Sequence, residues 1–163
     1  MVALTGEELL AWSDTTAGHW RKLLEAHPHL LALPCDIAGV KSVGELMQHI
    51  VAVPLRYAER LSGLPETAYE AIRYGSAAEL FETHTRAMEM LRGLVADPAY
   101  NWDEVLEFKT RSMGVLRASR KTILIHALMH GIRHYAQLAT LVRQHGVAPD
   151  WQMDYLLMGA RRA

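Results

Sequence analysis

Three histidines recur at intervals of four residues in the stretch HALMHGIRHYAQ, at His126, His130 and His134. If the stretch is helical, neighbours in this set differ by a rise of about 6 Å and a rotation of about 40°, so two imidazoles can reach one ion. The outer two lie about 12 Å apart along the axis, so all three cannot bind the same ion. The spacing therefore predicts one pair of metal ligands.

The hydrophobic pattern of this helix distinguishes the two possible pairs. Steps of four and three residues place one row on a single stripe: Ile123, Ala127, His130, His134, Gln137 and Leu141. A second apolar row widens it: Leu124, Leu128, Tyr135, Leu138 and Val142. His126 falls toward the polar side, with Thr122, Arg133 and Thr140. Since an imidazole is costly to bury without a partner, we predict that His130 and His134 are the ligands and that His126 is a flanking or structural residue.

A third ligand is predicted on the second helix, within SVGELMQHIVAVPLRYAERL. His49 borders its apolar face, which consists of Leu46, Ile50, Val53, Tyr57 and Leu61. A three-histidine set leaves coordination positions open for water or substrate, as in catalytic zinc sites. The alternative is a set of core histidines, because a lone histidine on an apolar face is usually a satisfied core or boundary residue and most helical HxxxH pairs bind no metal.

Further candidates surround these ligands. Arg56 and Tyr57 are candidates for binding an anionic substrate over the metal, although such residues more often lie on the surface and in the core, respectively. Gln137 follows His134 by one turn, where it can hydrogen-bond to a ligand. Glu45 lies one turn before His49 and could act as a base, but a role in helix capping already explains it. Cys35 has no partner pattern and receives no role.

Helix-start signals divide the chain into four segments. The predicted N-caps are Thr5, Ser42, Ser76 and Ser119, the first three followed by glutamate three residues on. The expected ends are near His27, Ser62–Gly63, Asp97 and Gly146. Four helices of roughly twenty residues or more, each with an apolar stripe, favour an all-α four-helix bundle of up-down-down-up type. We expect residues 1–163 to form this single domain.

The connections between the helices are long. Residues 28–41 are apolar enough to pack across one end of the bundle. Between the third and fourth helices, VLEFKT and VLRAS flank Ser112–Gly114, which fits a short β-hairpin and equally a structured loop. The tail PDWQMDYLLMG should dock on the bundle or on a second subunit, so a homodimer is possible.

Composition excludes several classes of protein. The 163 residues carry a net charge of −1, so neither a nucleic-acid footprint nor a polybasic membrane surface is indicated. A single cysteine excludes an internal disulfide and fits a reducing compartment. No apolar run approaches the roughly 18 residues of a membrane span, and acidic residues appear too early for a signal peptide. We therefore expect a cytoplasmic domain with no nucleic-acid or membrane partner.

Taken together, a second-helix histidine after SVGELMQ and the fourth-helix stretch HALMHGIRHYAQLATLVRQHG resemble the DinB-like metal-dependent four-helix-bundle family. The likeness covers nearly the whole chain. It implies a metal triad of His49, His130 and His134, and it matches His126 to a frequent histidine that is not usually a ligand. The family often has His-Arg-Gly-Gln where this chain has His134-Tyr135-Ala136-Gln137, so no role of that arginine or glycine carries over.

The resemblance implies a metal-dependent enzyme acting on a small molecule. Characterised relatives include S-transferases and isomerases that use low-molecular-weight bacterial thiols with a divalent metal such as zinc or nickel. We expect thiol-dependent S-transfer first and hydrolysis second. The alternatives are a non-catalytic metal- or ligand-binding bundle, and a metal-free bundle whose buried histidines hydrogen-bond to one another.

Overall fold

A computed structural model describes residues 3–110 and 113–160. Most of them are helical. The four α-helices are α1 (Gly6–Ala26), α2 (Val43–Leu61), α3 (Ala77–Ala96) and α4 (Arg120–Gln144), and one antiparallel pair of strands, β1 (Val105–Thr110) and β2 (Gly114–Ser119), precedes α4. Within the described ranges, none of these helices has the combination of length and apolar character that crossing a membrane requires.

The four predicted helix starts are confirmed. The hydroxyl oxygens of Thr5, Ser42, Ser76 and Ser119 each accept a hydrogen bond from the backbone N–H three residues on. This bond satisfies one of the N–H groups that the first turn of a helix leaves unpaired. In α2 the carboxylate of Glu45 accepts from the backbone N–H of Lys41 at 2.8 Å, so Glu45 acts at the helix start, as its capping signature suggested.

The helices pack through their apolar faces. α2 contacts α3 and α4, and α1 contacts the same two helices. Trp20 of α1 and Tyr135 of α4 lie in the middle of the buried set, with their rings stacked at a centroid distance of 5.6 Å. Burial of this face is the main source of helix stability, because helices in proteins are stabilised mostly by the packing of an apolar face and less by the propensity of their residues. The finer arrangement, an up-down-down-up bundle, stays a prediction.

The segment before α4, for which the sequence fitted a β-hairpin and a structured loop equally, forms the hairpin. Val105 pairs with Ser119 and Thr110 with Gly114, so β2 ends on the N-cap of α4. Every second side chain along β1 is partly buried, including Phe108, and in β2 the partly buried side chains include Leu116. Gly114 has a φ of 72°, a backbone conformation that glycine adopts without strain. Ser112, in the predicted turn, lies outside the described residues.

The apolar segment after α1 and the C-terminal tail both pack on the helices. The short 3₁₀ segment Pro28–Ala32 contacts α1 and α2 and buries Leu30 completely. In the tail, the carbonyl of Met153 accepts a hydrogen bond from the indole of Trp12 at 3.1 Å, and Trp151 packs edge-on against Trp20. Of the two alternatives predicted for the tail, docking on the helices is observed for Trp151 and Met153, whereas Leu156 and Leu157 remain exposed.

A buried polar contact joins α1 to α3. The Nε2 atom of His84 lies 2.9 Å from Oδ1 of Asp14, and Arg92 pairs with the other oxygen of the same carboxylate. Burial lowers the pKa of His84 to about 4. Since Arg92 already balances the Asp14 charge, desolvation of the imidazole dominates and keeps it neutral.

The stability of the protein should therefore decrease in acid. A histidine in the unfolded chain titrates near pH 6.5, so the unfolded state takes up the proton first as the pH falls below about that value. We expect the free energy of unfolding to drop by roughly 1–2 kcal/mol between pH 7 and pH 5 through His84 alone. Urea unfolding of chelator-treated protein at both pH values measures this drop.

His84→Asn keeps a donor for Asp14 but cannot titrate. The decrease in its free energy of unfolding between pH 7 and pH 5 should therefore be smaller than that of the wild type. The exposed His145 provides a matched control, and His145→Asn should behave like the wild type. An equal drop in wild type and His84→Asn would show that His84 does not contribute.

Candidate metal centre

Three imidazoles from two helices converge on one point. Nε2 of His130 lies 3.1 Å from Nε2 of His49 and 3.2 Å from Nε2 of His134. One ligand-type nitrogen from each of the three lies within 4.8 Å of the other two. The three residues that the sequence analysis predicted together are therefore brought together, and as a group they could hold a metal ion.

Helix geometry explains the convergence. His130 and His134 are one turn apart on the face of α4 that packs toward α2, and both are buried. His49, half-buried, comes from α2, which continues as a helix through Pro54. Because α2 and α4 pack directly on each other, a residue at position 49 can meet a pair at 130 and 134 without any contribution from a loop.

A hydrogen bond sets the protonation of His134. Its Nδ1 atom lies 2.7 Å from Oε1 of Gln137, so Nδ1 donates and the lone pair of the neutral ring is on Nε2. Nη2 of Arg133 donates to that same Nε2 at 3.0 Å, which agrees with this tautomer. The lone pair of His134 therefore points into the cluster. This is the orientation that a metal ligand needs, and the hydrogen bond from one turn away is the one predicted for Gln137.

His130 lies between the other two histidines of the cluster, and its pKa is strongly lowered. Burial, followed by the proximity of His49 and His134, lowers its pKa to about 2. Burial also lowers the pKa of His134. Both rings are thus held neutral near pH 7, as metal binding requires. The Nδ1 atom of His130 is buried and has no hydrogen-bond partner among the described residues.

The donor set fits a divalent metal. Nitrogens that share a tetrahedral zinc at about 2.0–2.1 Å are roughly 3.3 Å apart, close to the two separations around His130. Hydrogen bonding alone explains the cluster less well. A ring nitrogen makes one bond along a single in-plane direction, so Nε2 of His130 cannot serve both neighbours at once.

The other predicted residues line one large cavity beside the cluster. Its volume is about 1050 Å³, and its wall includes the three histidines as well as Arg56, Tyr57 and His126. His126 is exposed on this wall, with its ring 5.6 Å from that of Tyr57 and 5.4 Å from that of His130. The structure therefore places His126 next to the cluster and outside its convergence point, as the helical pattern predicted.

Arg56 faces the cavity but already has a partner. Its guanidinium donates two hydrogen bonds to Oε2 of Glu66, at 3.1 and 2.8 Å, and Arg60 binds the other oxygen of the same carboxylate. Arg60 also lies over the ring of Phe108, 4.4 Å from its centroid, and so ties the hairpin to α2. The prediction that Arg56 binds an anionic substrate must therefore include exchange with Glu66.

Sequence reasoning missed several residues of the cavity wall. Glu66 and Phe108 come from connecting segments whose path the helix pattern does not determine. Arg133 was placed on the polar side of α4, but its long side chain reaches the ring of the adjacent His134. The alternation of VLEFKT was the one available signal, since it marks Phe108 as inward-facing if the segment is a strand.

Comparison with known protein families gives a match over nearly the whole chain. The DinB family profile matches residues 1–160. The chain belongs to the DinB family. No curated protein matches it. This DinB-family member has Tyr135 directly after His134, and Tyr135 is fully buried against Trp20, so that position belongs to the core and does not reach the cavity. In this chain the arginine adjacent to His134 is Arg133, which precedes the histidine, whereas in the family pattern the arginine follows it.

Removing the Gln137 side chain should weaken metal binding. Gln137→Ala deletes the acceptor that fixes the tautomer of His134, and loss of such a partner typically lowers metal affinity about 10–100-fold. Because Gln137 is exposed, the melting temperature without metal should stay close to that of the wild type. Competition against a chromophoric zinc chelator measures the affinity.

Gln144→Ala, at an exposed position near the end of the same helix, is the matched control and should bind zinc like the wild type. Equal affinities for wild type and Gln137→Ala would show that the hydrogen bond does not support the site.

Proposed function

We propose that this protein is a metal-dependent enzyme that binds one divalent ion, zinc or nickel, through His49, His130 and His134 and acts on a small molecule in the adjoining cavity. Thiol-dependent S-transfer is the first reaction class and hydrolysis the second. The observation that carries the proposal is the meeting of three imidazole nitrogens on the wall of a cavity of about 1050 Å³. Three protein ligands leave open positions, as in catalytic sites.

When bound, a divalent metal lowers the pKa of a thiol or water and so supplies a nucleophile near neutral pH. The residues of the chain hold and orient the reactants. Gln137 keeps the lone pair of His134 directed into the cluster. Tyr57 and Phe108, whose rings meet edge to face at 6.1 Å, form an apolar part of the wall against which a small molecule can pack.

Two further aspects belong to this proposal. The cavity volume suits a small-molecule substrate together with a low-molecular-weight thiol. Arg56, Tyr57 and Gln137 are the candidates for functional residues beyond the metal ligands, with Arg56 contributing only if a substrate carboxylate replaces Glu66. We also propose the four-helix bundle as a single domain, and a homodimer as its possible assembly.

The rival is a bundle that binds metal or ligand without catalysis. Its site would have the same three histidines, and metal would act on stability alone. The two differ in one respect: catalysis requires that a thiol or water gain reactivity at the metal, whereas a structural ion has no such effect.

The test is a thiol-dependent transfer to an electrophile such as 1-chloro-2,4-dinitrobenzene or an epoxide, assayed on zinc- and nickel-loaded protein. We expect turnover in the wild type, loss of at least about 100-fold in His49→Ala because an open catalytic site loses a ligand, and no loss in Cys35→Ser. Cys35 is buried and lies outside the cavity wall, so it serves as the control nucleophile.

Activity that is indifferent to His49 would contradict the proposal. A large rise in melting temperature on metal loading, with no turnover for any thiol or with water as the nucleophile, would favour the non-catalytic rival.

A further inference from the structure

Arg133 occupies an unusual position at the candidate metal centre. Its Nη2 atom donates to Nε2 of His134 at 3.0 Å, and its side chain forms part of the cavity wall. A neutral imidazole has one lone pair in the ring plane, and here that lone pair is on Nε2 because Nδ1 donates to Gln137. Arg133 and a metal ion would therefore use the same lone pair of His134, so the two interactions exclude each other.

The acidic residues of the cavity do not compensate the charge of Arg133. Glu66 is bound by both Arg56 and Arg60, and Glu45 accepts the backbone N–H of Lys41. Within residues 3–110 and 113–160, no acidic side chain forms an ion pair with Arg133. Four basic and two acidic side chains line the cavity, so its wall has an excess of positive charge before any metal binds.

Metal binding makes this imbalance larger. The guanidinium loses its acceptor on His134 and faces a dication within the same cavity. Two cations at such close range repel each other unless an anion lies between them. A planar guanidinium is well suited to bind a carboxylate, sulfonate or phosphate, since it offers paired N–H donors.

We propose that Arg133 is a specificity-determining residue that binds an anionic group of the small molecule held at the metal. This inference rests on the proposed function. The guanidinium leaves His134 when the metal binds and turns to the anionic end of the ligand, while the other end of the ligand takes an open metal position. The site thereby selects anionic molecules over neutral or cationic ones of the same size.

The experiment compares three thiols with the same two-carbon chain and different distal charges. These are 2-mercaptoethanesulfonate, 2-mercaptoethanol and cysteamine, which are anionic, neutral and cationic, respectively. Each is titrated into cobalt-substituted protein, and the thiolate-to-cobalt charge-transfer absorption gives the dissociation constant without any turnover. The wild type should bind the sulfonate at least about tenfold more tightly than the neutral thiol, which corresponds to about 1.4 kcal/mol, and cysteamine most weakly.

In Arg133→Ala, the preference for the sulfonate should fall to about threefold or less. The remaining preference would come from the other basic side chains of the cavity wall, Arg56, Arg60 and Lys109. Arg133→Ala should take up cobalt at least as tightly as the wild type, because a competitor for His134 has been removed. Arg143→Ala is the matched control, since Arg143 is exposed near the end of α4 and does not line the cavity.

An unchanged preference in Arg133→Ala, with cobalt bound, would overturn this inference and leave the proposed function intact. Failure of the wild type to bind cobalt would instead overturn the proposed function, and the role of Arg133 with it. Weaker cobalt binding in Arg133→Ala than in Arg143→Ala would also contradict the inference, because it would mean that Arg133 supports the metal and does not compete with it.

Discussion

The packing of α2 against α4 places three imidazoles in contact at their Nε2 atoms, and the remaining features of the site follow from this constraint. Because a ring nitrogen bonds along a single in-plane direction, Nε2 of His130 cannot hydrogen-bond to both neighbouring rings at once. The other ring nitrogen of His130, Nδ1, is also buried and has no hydrogen-bond partner among the described residues. A divalent ion at the convergence point would satisfy all three rings at once, which is why a metal explains the cluster better than a network of hydrogen bonds.

The rest of the structure serves to hold the two helices in register. Serine caps fix the first residues of α2 and α4, and with them the faces on which His49 and His130 lie. The hairpin ends on the cap of α4 and carries Phe108 to the cavity, where it meets Tyr57 and Arg60. The cavity wall has an excess of basic side chains, which are Arg56, Arg60, Lys109 and Arg133. Two packed helices that carry the three histidines are thus combined with a wall made partly of connecting segments.

The sequence predicted the helical part of this arrangement well because the signals are local. A Ser or Thr at the cap, an apolar stripe and the spacing of His130 and His134 all depend on neighbours within a few residues. The four helix starts could be predicted for that reason. The contact between Gln137 and His134 could be predicted for the same reason. The meeting of His49 with the fourth-helix pair is a long-range contact, and it was predicted from the position of His49 beside the apolar face of its helix and from the family resemblance.

The contacts that the sequence did not predict connect distant segments. Whether VLEFKT forms a strand depends on its partner, and both outcomes satisfied the local pattern. Arg56 was assigned to a substrate, and its pairing with Glu66 depends on how the segment after α2 folds back. Arg133 lies on the polar side of α4 by position, but its long side chain reaches His134. Charge partners of long side chains require the three-dimensional path of the chain.

Elemental analysis of untagged protein tests the candidate metal centre most directly. Wild type, His49→Ala and His130→Ala are compared, with His126→Ala as a control on the same cavity wall. About one equivalent of a divalent metal is expected in the wild type and in His126→Ala, and nearly none in the other two variants. A wild-type protein that contains no metal, even after reconstitution with zinc, nickel and cobalt, would contradict the proposed metal site.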